Sequence, residues 1–184
     1  IDAHNVDAIF TSTQKAFAMP PGLAVCTVSD AAYERELEKE SASWYGGFQR
    51  CLDYYDRKGQ THSTPAIPLM LAYREQMEHM LAEGHHERDR RHHEMAEHTR
   101  DWAREQFGLF AETGFESQTV TCVENTRDID VAATVETVSE GYDMVCSSGY
   151  GTRAEESFRI GHRGEHTVES GRALTDAIED VAGL

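Results

Sequence analysis

Apolar residues along this chain fall into two textures, short continuous runs and helical stripes. Val6 to Phe10 and Gly22 to Val28 are runs that predict two strands, and their apolar continuity suits a sheet covered on both faces. Asp30 predicts a cap for a helix through Lys39, with Glu34, Glu36 and Glu38 turned to solvent. Ser41 to Gln60 has no clear period; it reads as an irregular aromatic stretch (Trp44, Tyr45, Phe48, Tyr54, Tyr55) with a glycine pair at Gly46 and Gly47. Periodicity returns with Ile67, Met70, Leu71, Met77 and Leu81, which predict one buried face of a helix ending at Gly84. A second long helix is predicted from His85 to Phe107, with Met95, Thr99 and Trp102 inward.

After Gly108 the texture shortens. Leu109 to Ala111 and Thr119 to Val123 predict strands, and Asp128 predicts the cap of a helix with Val131, Val135 and Val138 inward. Tyr142 to Cys146 and Ser157 to Gly161 predict further strands. Ala173, Leu174, Ala177, Ile178 and Val181 line a closing helix. This β-β-α-β-β-α order fits a small two-layer α+β domain. The boundary is placed between Pro65 and Gly84, giving residues 1–75 as one part and 76–184 as the other.

At 184 residues the chain has ample length for a buried core. Thirty-three acidic against 17 basic residues give a net charge of -16, which argues against nucleic-acid binding as the main role. The acids are spread along the chain, as on a solvated surface. With three lysines (Lys15, Lys39, Lys58), the composition resembles that of proteins from salt-loving cells. At roughly 1 M salt the Debye length is about 3 Å and self-repulsion is screened, so the melting temperature should be higher in molar salt than in dilute buffer. Cys26, Cys51, Cys122 and Cys146 are widely spaced without a CxxC pair; free thiols in an intracellular protein are expected. No apolar run approaches the roughly 20 residues of a membrane span, and a soluble, cytoplasmic protein without membrane partners is expected. Ile1 opens mid-pattern, which suggests the latter part of a longer chain.

Three places carry candidate chemistry. Lys15 is a scarce lysine delivered by a strand that ends in Thr11, Ser12 and Thr13. Burial readily lowers a lysine pKa, and a neutral amine forms a Schiff base with an aldehyde cofactor, although the same pattern fits a surface lysine. Ser63 and Thr64 precede Pro65 at a helix start, where free backbone N–H groups favour an anion or, more simply, form an ordinary cap. Arg159 sits in a strand-like run before Gly161; its fork suits a carboxylate, and equally a strand-edge salt bridge. The run His85-His86-Glu87-Arg88-Asp89-Arg90-Arg91-His92-His93 invites a metal reading, but the interleaved arginines would repel a cation, and no metal site is assigned.

The run TSTQKAFAMPPGLA, Thr11 to Ala24, resembles the cofactor-lysine segment of the class V aminotransferases, especially the alanine–glyoxylate and serine–pyruvate branch. The resemblance implies that Lys15 binds pyridoxal 5'-phosphate as the Schiff-base lysine and that Gln14 lies beside the cofactor phosphate. It implies that Thr64 reaches across a homodimer interface to the neighbouring subunit's phosphate; Thr61 stands where human-type members have tyrosine. Arg159-Ile160-Gly161-His162 after Gly149-Tyr150-Gly151 looks like the family's substrate-carboxylate motif, with Arg159 as the substrate-binding residue. The two matches span essentially the whole chain. They imply an α/β fold, the end of the fold-type I large domain with its mostly parallel sheet, followed by a small C-terminal α+β domain. The carboxylate that pairs with the pyridine nitrogen would lie upstream of Ile1. The implied activity is transfer of an amino group from a small alanine- or serine-like amino acid to a glyoxylate- or pyruvate-like 2-oxo acid. The rivals are a lyase or desulfurase, whose relatives have His-Lys where this chain has Gln14-Lys15 and for which Cys146 is the nearest thiol, and a non-catalytic module around the helix from His85.

Overall fold

β1 (Ala8–Ser12) pairs antiparallel with β2 (Ala24–Val28), Phe10 standing opposite Cys26 across the ladder. This computed structural model describes residues 5–39 and 43–184; Ile1 and Ser41, where the sequence reading begins a chain and a loop, lie outside the described residues. Two units separate, Ile1–Glu78 and His79–Leu184.

In the first unit the ribbon does not sit inside a covered sheet. Phe10 is 79% and Ile9 49% exposed, because each strand has only the other as a partner among the described residues. The helix α1 (Asp30–Leu37) is capped one residue earlier than expected: the Ser29 hydroxyl accepts from the Ala32 N–H at 3.1 Å, and Asp30 occupies the first turn, where its charge suits the helix dipole. The stretch read as irregular contains a helix, α2 (Phe48–Lys58), stopped by Gly59 at φ +61°. Its start is fixed from outside: Glu36, half-buried instead of facing solvent, accepts from the N–H groups of Phe48 (2.8 Å) and Gln49 (3.3 Å). That cap comes from another helix, so local sequence hides it. In α3 (Ile67–Glu83), the expected buried face is largely open, with Ile67, Met70, Leu71 and Leu81 all exposed. The division between the units falls within this helix.

The second unit is a two-layer α+β domain, as its element order predicts. It contains α4 (His85–Gln106), β3 (Gly108–Leu109), β4 (Val120–Glu124), α5 (Val131–Tyr142), β5 (Ser147–Ser148), β6 (Ser157–Gly161) and α6 (Val168–Ala182). The sheet order is β3-β4-β6-β5 and every pairing is antiparallel. The described residues thus hold antiparallel ladders and none of the large domain's parallel pairing. Two local expectations shift. The cap of α5 is Asp130, which accepts from the Ala133 N–H at 2.9 Å, while Asp128 adopts a left-handed φ of +53° ahead of it. Tyr142 ends α5 instead of starting a strand, and Asp143 closes the helix in the left-handed region.

Alternation along β6 gives the sheet two faces. Phe158 and Ile160 point into a core with Val123, Trp102, Val138, Leu174 and Ile178, drawn from all three helices. Arg159 and its cross-strand neighbour Cys122 occupy the other face.

Candidate active site

Lys15 rides on a turn knotted by Thr13. Thr13 is fully buried; its N–H donates to the Leu23 carbonyl at 3.1 Å and its hydroxyl to the Pro20 carbonyl at 2.8 Å. Met19 N–H returns to the Thr13 carbonyl (3.0 Å), and Lys15 N–H and carbonyl bond Ser12 and Ala18. The loop is therefore pinned at its neck and leaves Gln14 and Lys15 exposed at its tip. Among the described residues no carboxylate pairs with Lys15. Gly22, closing the Pro-Pro-Gly run, has φ +140°, and an added Cβ would fall 2.5 Å from the Leu69 side chain of α3. That close approach explains glycine there.

Thr64 lies elsewhere in the same unit, exposed at a cavity of about 530 Å³ bounded by Tyr55, His62, Ser63, Thr64 and Met70. Lys15 and Gln14 do not line it. The segment is held by His62, whose Nε2 meets the Tyr45 carbonyl at 3.0 Å and whose Nδ1 meets Cys51 Sγ at 3.4 Å. Since Nε2 donates to a carbonyl, Nδ1 is the acceptor and Cys51 the donor. Sequence reasoning missed this pair; a His and a Cys eleven residues apart carry no periodic signal.

In the second unit Arg159 is half-buried on the sheet's open face. Its Nε donates to the Ser148 carbonyl at 3.0 Å, and its guanidinium carbon stands 3.7 Å from the Tyr150 ring centre. The salt bridge foreseen as its simpler role is absent among the described residues, so the two terminal nitrogens are left as a fork. Gly149 makes this seat possible. Its N–H donates to the Ser157 carbonyl at 2.8 Å, and a Cβ there would lie 2.1 Å from the Arg153 carbonyl oxygen, closer than any side chain tolerates. Tyr150, unremarked beyond its place between two glycines, is the platform for Arg159.

The loop after β6 is gripped by the His-rich helix. Glu83 accepts from Arg88 and Arg91, each at 2.7 Å, and chiefly the Arg91 bond lowers its carboxyl pKa to about 2. Arg91 also donates to the Gly164 carbonyl at 3.0 Å. His92 donates from Nδ1 to the Arg88 carbonyl (2.7 Å) and accepts the Gly164 N–H at Nε2 (3.1 Å), so both ring nitrogens are engaged and the ring orientation is fixed. Burial pushes the Cys146 thiol up. Burial likewise lowers His162 to about 4, helped by the charge of Arg100 nearby.

No protein-family model matches the chain. An uncharacterized aminotransferase of Methanocaldococcus jannaschii is 34% identical over 167 residues, covering 89% of this chain and 43% of that protein. The L-aspartate–glyoxylate aminotransferase of Paracoccus denitrificans is 31% identical, over all of this chain and 48% of its own length. The chain is homologous to the class V aminotransferases. The crystal structure of an alanine–glyoxylate aminotransferase from Nostoc sp. superposes with a TM-score of 0.90 at 26% identity, over 98% of this chain and 49% of that one. Structural neighbours of this kind are fold-type I pyridoxal-phosphate enzymes. The chain spans about half the length of the curated class V relatives it matches.

Proposed function

We propose that this chain supplies the cofactor lysine and the substrate arginine of a pyridoxal-phosphate transaminase that moves an amino group from a small amino acid to glyoxylate or pyruvate. Relatives named for glyoxylate transfer support the acceptor class. The observation that carries the reading is an unpaired lysine amine at the tip of a pinned turn, in a homologous chain that also presents an unclaimed arginine fork. The residues present suit the cofactor. Lys15 Nζ would hold its aldehyde, Gln14 would flank its phosphate, and the Thr64 hydroxyl, at the start of α3, would meet the phosphate of a second subunit. In this reading the protein is a homodimer and residues 1–75 end the large domain, with 76–184 forming the small one. The acidic surface and free thiols suit a cytoplasmic enzyme of a salt-loving cell.

When bound, pyridoxal phosphate supplies an electron sink for the bond cleaved at the substrate Cα. Arg159 binds the substrate carboxylate through its two terminal nitrogens, held in plane by Ser148 and Tyr150. Lys15 Nζ would take the proton from the substrate Cα as a base and, as an acid, deliver it to the carbon that carries the cofactor's aldehyde, not back to Cα. A desulfurase reading draws no support from Cys146, whose burial disfavours the thiolate such chemistry needs.

The test uses the full-length gene product. Addition of pyridoxal phosphate, borohydride reduction and peptide mapping should label Lys15, and Lys15→Ala should lose on the order of 10³-fold or more in turnover. Label on another lysine, or retained turnover, would reject the assignment. The 184 residues alone are expected to bind cofactor weakly.

A further inference from the structure

Transamination makes no use of the pair formed by Cys51 and His62. Among the described residues Cys26, Cys122 and Cys146 have no histidine partner, whereas Cys51 Sγ lies 3.4 Å from His62 Nδ1. The other ring nitrogen is committed. Nε2 donates to the Tyr45 carbonyl at 3.0 Å, which leaves the Nδ1 lone pair turned to the thiol. The rings of Trp44 and Tyr45 each stand 5.5 Å from the imidazole and hold its plane. A nucleophile, a base within reach of its proton and a third group that orients the base are thus together.

The setting suits a small reactant. Cys51 is half-buried near the head of α2, its N–H bonded to the Gly47 carbonyl at 3.2 Å, and it lines the cavity of about 530 Å³ at which Thr64 lies. Glu36 already occupies the N–H groups at the start of that helix, so its carboxylate offsets the helix dipole and the activation falls to His62. Among the described residues no Asp, Glu, Lys or Arg lines the cavity, and Leu52, Tyr55 and Met70 make its walls largely apolar. Such walls favour an uncharged reactant.

We propose that Cys51 is a redox-modification site, at which the thiol exchanges with an uncharged low-molecular-weight disulfide and His62 carries the proton. His62 Nδ1 takes the proton from Cys51 Sγ as that sulfur attacks one sulfur of the disulfide. The reagent's S–S bond breaks and a bond from Cys51 Sγ to the attacked sulfur forms. The departing sulfur leaves with the electron pair and takes the proton back from Nδ1–H. Cys51 is oxidised to a mixed disulfide, half of the reagent is reduced to a thiol, and excess thiol runs the step backwards. Exchange needs a nucleophile and a base and no oxyanion donors, which matches what the two residues supply. The site does not depend on the transaminase reading, and no readout below uses activity.

The probe is bis(2-hydroxyethyl) disulfide, added in excess to the reduced full-length protein at pH 7, with the adduct at each cysteine timed by acid quench and peptide mass spectrometry. Each rate is compared with that of the same cysteine in denaturant. Burial alone only slows a thiol, so a folded rate above the unfolded one isolates the action of a base. An unassisted thiol is about 3% ionised at pH 7, which leaves room for an acceleration of about ten-fold at Cys51. Cys26, exposed, and Cys122 and Cys146, less so, should react no faster folded than unfolded. His62→Gln keeps an N–H donor for the Tyr45 carbonyl and removes the base at Nδ1; it should cancel the acceleration at Cys51 and leave Cys26 unchanged. Should that variant fail to fold, the folded-to-unfolded ratio of the wild-type protein still decides. A Cys51 ratio at or below one, an equal acceleration at Cys26, or a folded His62→Gln variant that reacts at the wild-type rate would each overturn the assignment.

Discussion

Met19 is the one buried hydrophobic side chain of the first unit among the described residues, whereas the second unit closes a continuous core around Val123, Val138, Ile160 and Ile178. The candidate residues follow suit. Lys15 is positioned by backbone and hydroxyl bonds around Thr13, and Arg159 by a strand whose neighbours on either side are buried. A side chain held by a local knot is indifferent to distant packing; one held by a strand shares that strand's stability. The difference between the units is thus one of mechanism as well as of exposure.

The widest gap should appear in stability. Ile178→Ala, at a fully buried position, should cost about 2–5 kcal/mol in denaturant unfolding of the full-length protein, and Phe10→Ala should stay within about 0.5 kcal/mol. A loss of several kcal/mol at Phe10 would mean that chain beyond these residues covers the ribbon, and the contrast would collapse. Next comes pH. His162 titrates near 4 in the folded state against about 6.5 unfolded, so the unfolded state binds the extra proton between those values and stability falls as pH drops from about 6.5 to 4. The loss reaches up to about 3 kcal/mol, borne by the second unit, and His162→Phe should flatten that limb of the unfolding profile. A profile unchanged by the substitution would deny the ring its buried, neutral state. Smaller again, Arg159→Ala should lower kcat/KM about 10²-fold, mainly through KM, as expected for a lost two-point carboxylate contact. Tyr150→Ala should lower it about three-fold, the worth of an exposed cation–π platform. If Tyr150→Ala matched Arg159→Ala, the ring would contact substrate itself instead of steadying the arginine.

Much of this was legible in the sequence, for stated reasons. The lysine turn announced itself by residue order, and the long period of α4 and the stripe of α6 gave the second unit's helices. Arg159 was found because a charge inside a strand run is rare. What escaped depends on partners distant in sequence. The start of α2 is capped by Glu36 from another helix, and no local signal marks it. The true caps Ser29 and Asp130 each lie beside or near an equally good residue, so composition alone does not choose between them. The apolar stripe of α3 correctly gives a helix and wrongly gives burial, since periodicity reports which face is apolar and says nothing of whether the chain itself covers it. Tyr150 had no signal at all, because stacking across a turn has no period.

The clasp between Gly149 N–H and the Ser157 carbonyl closes the excursion from Tyr150 to Glu156 at its base. Asn125 ties the far end of that excursion through the Glu155 and Glu156 carbonyls (3.0 and 2.9 Å), so the tip whose chemistry can vary while the anchoring strand keeps its register is Tyr150 to Ala154, and position 149 stays without a side chain as long as the Arg153 carbonyl lies against it. A protein engineer who wished to change what approaches the guanidinium would rebuild this tip first and leave the β-sheet untouched.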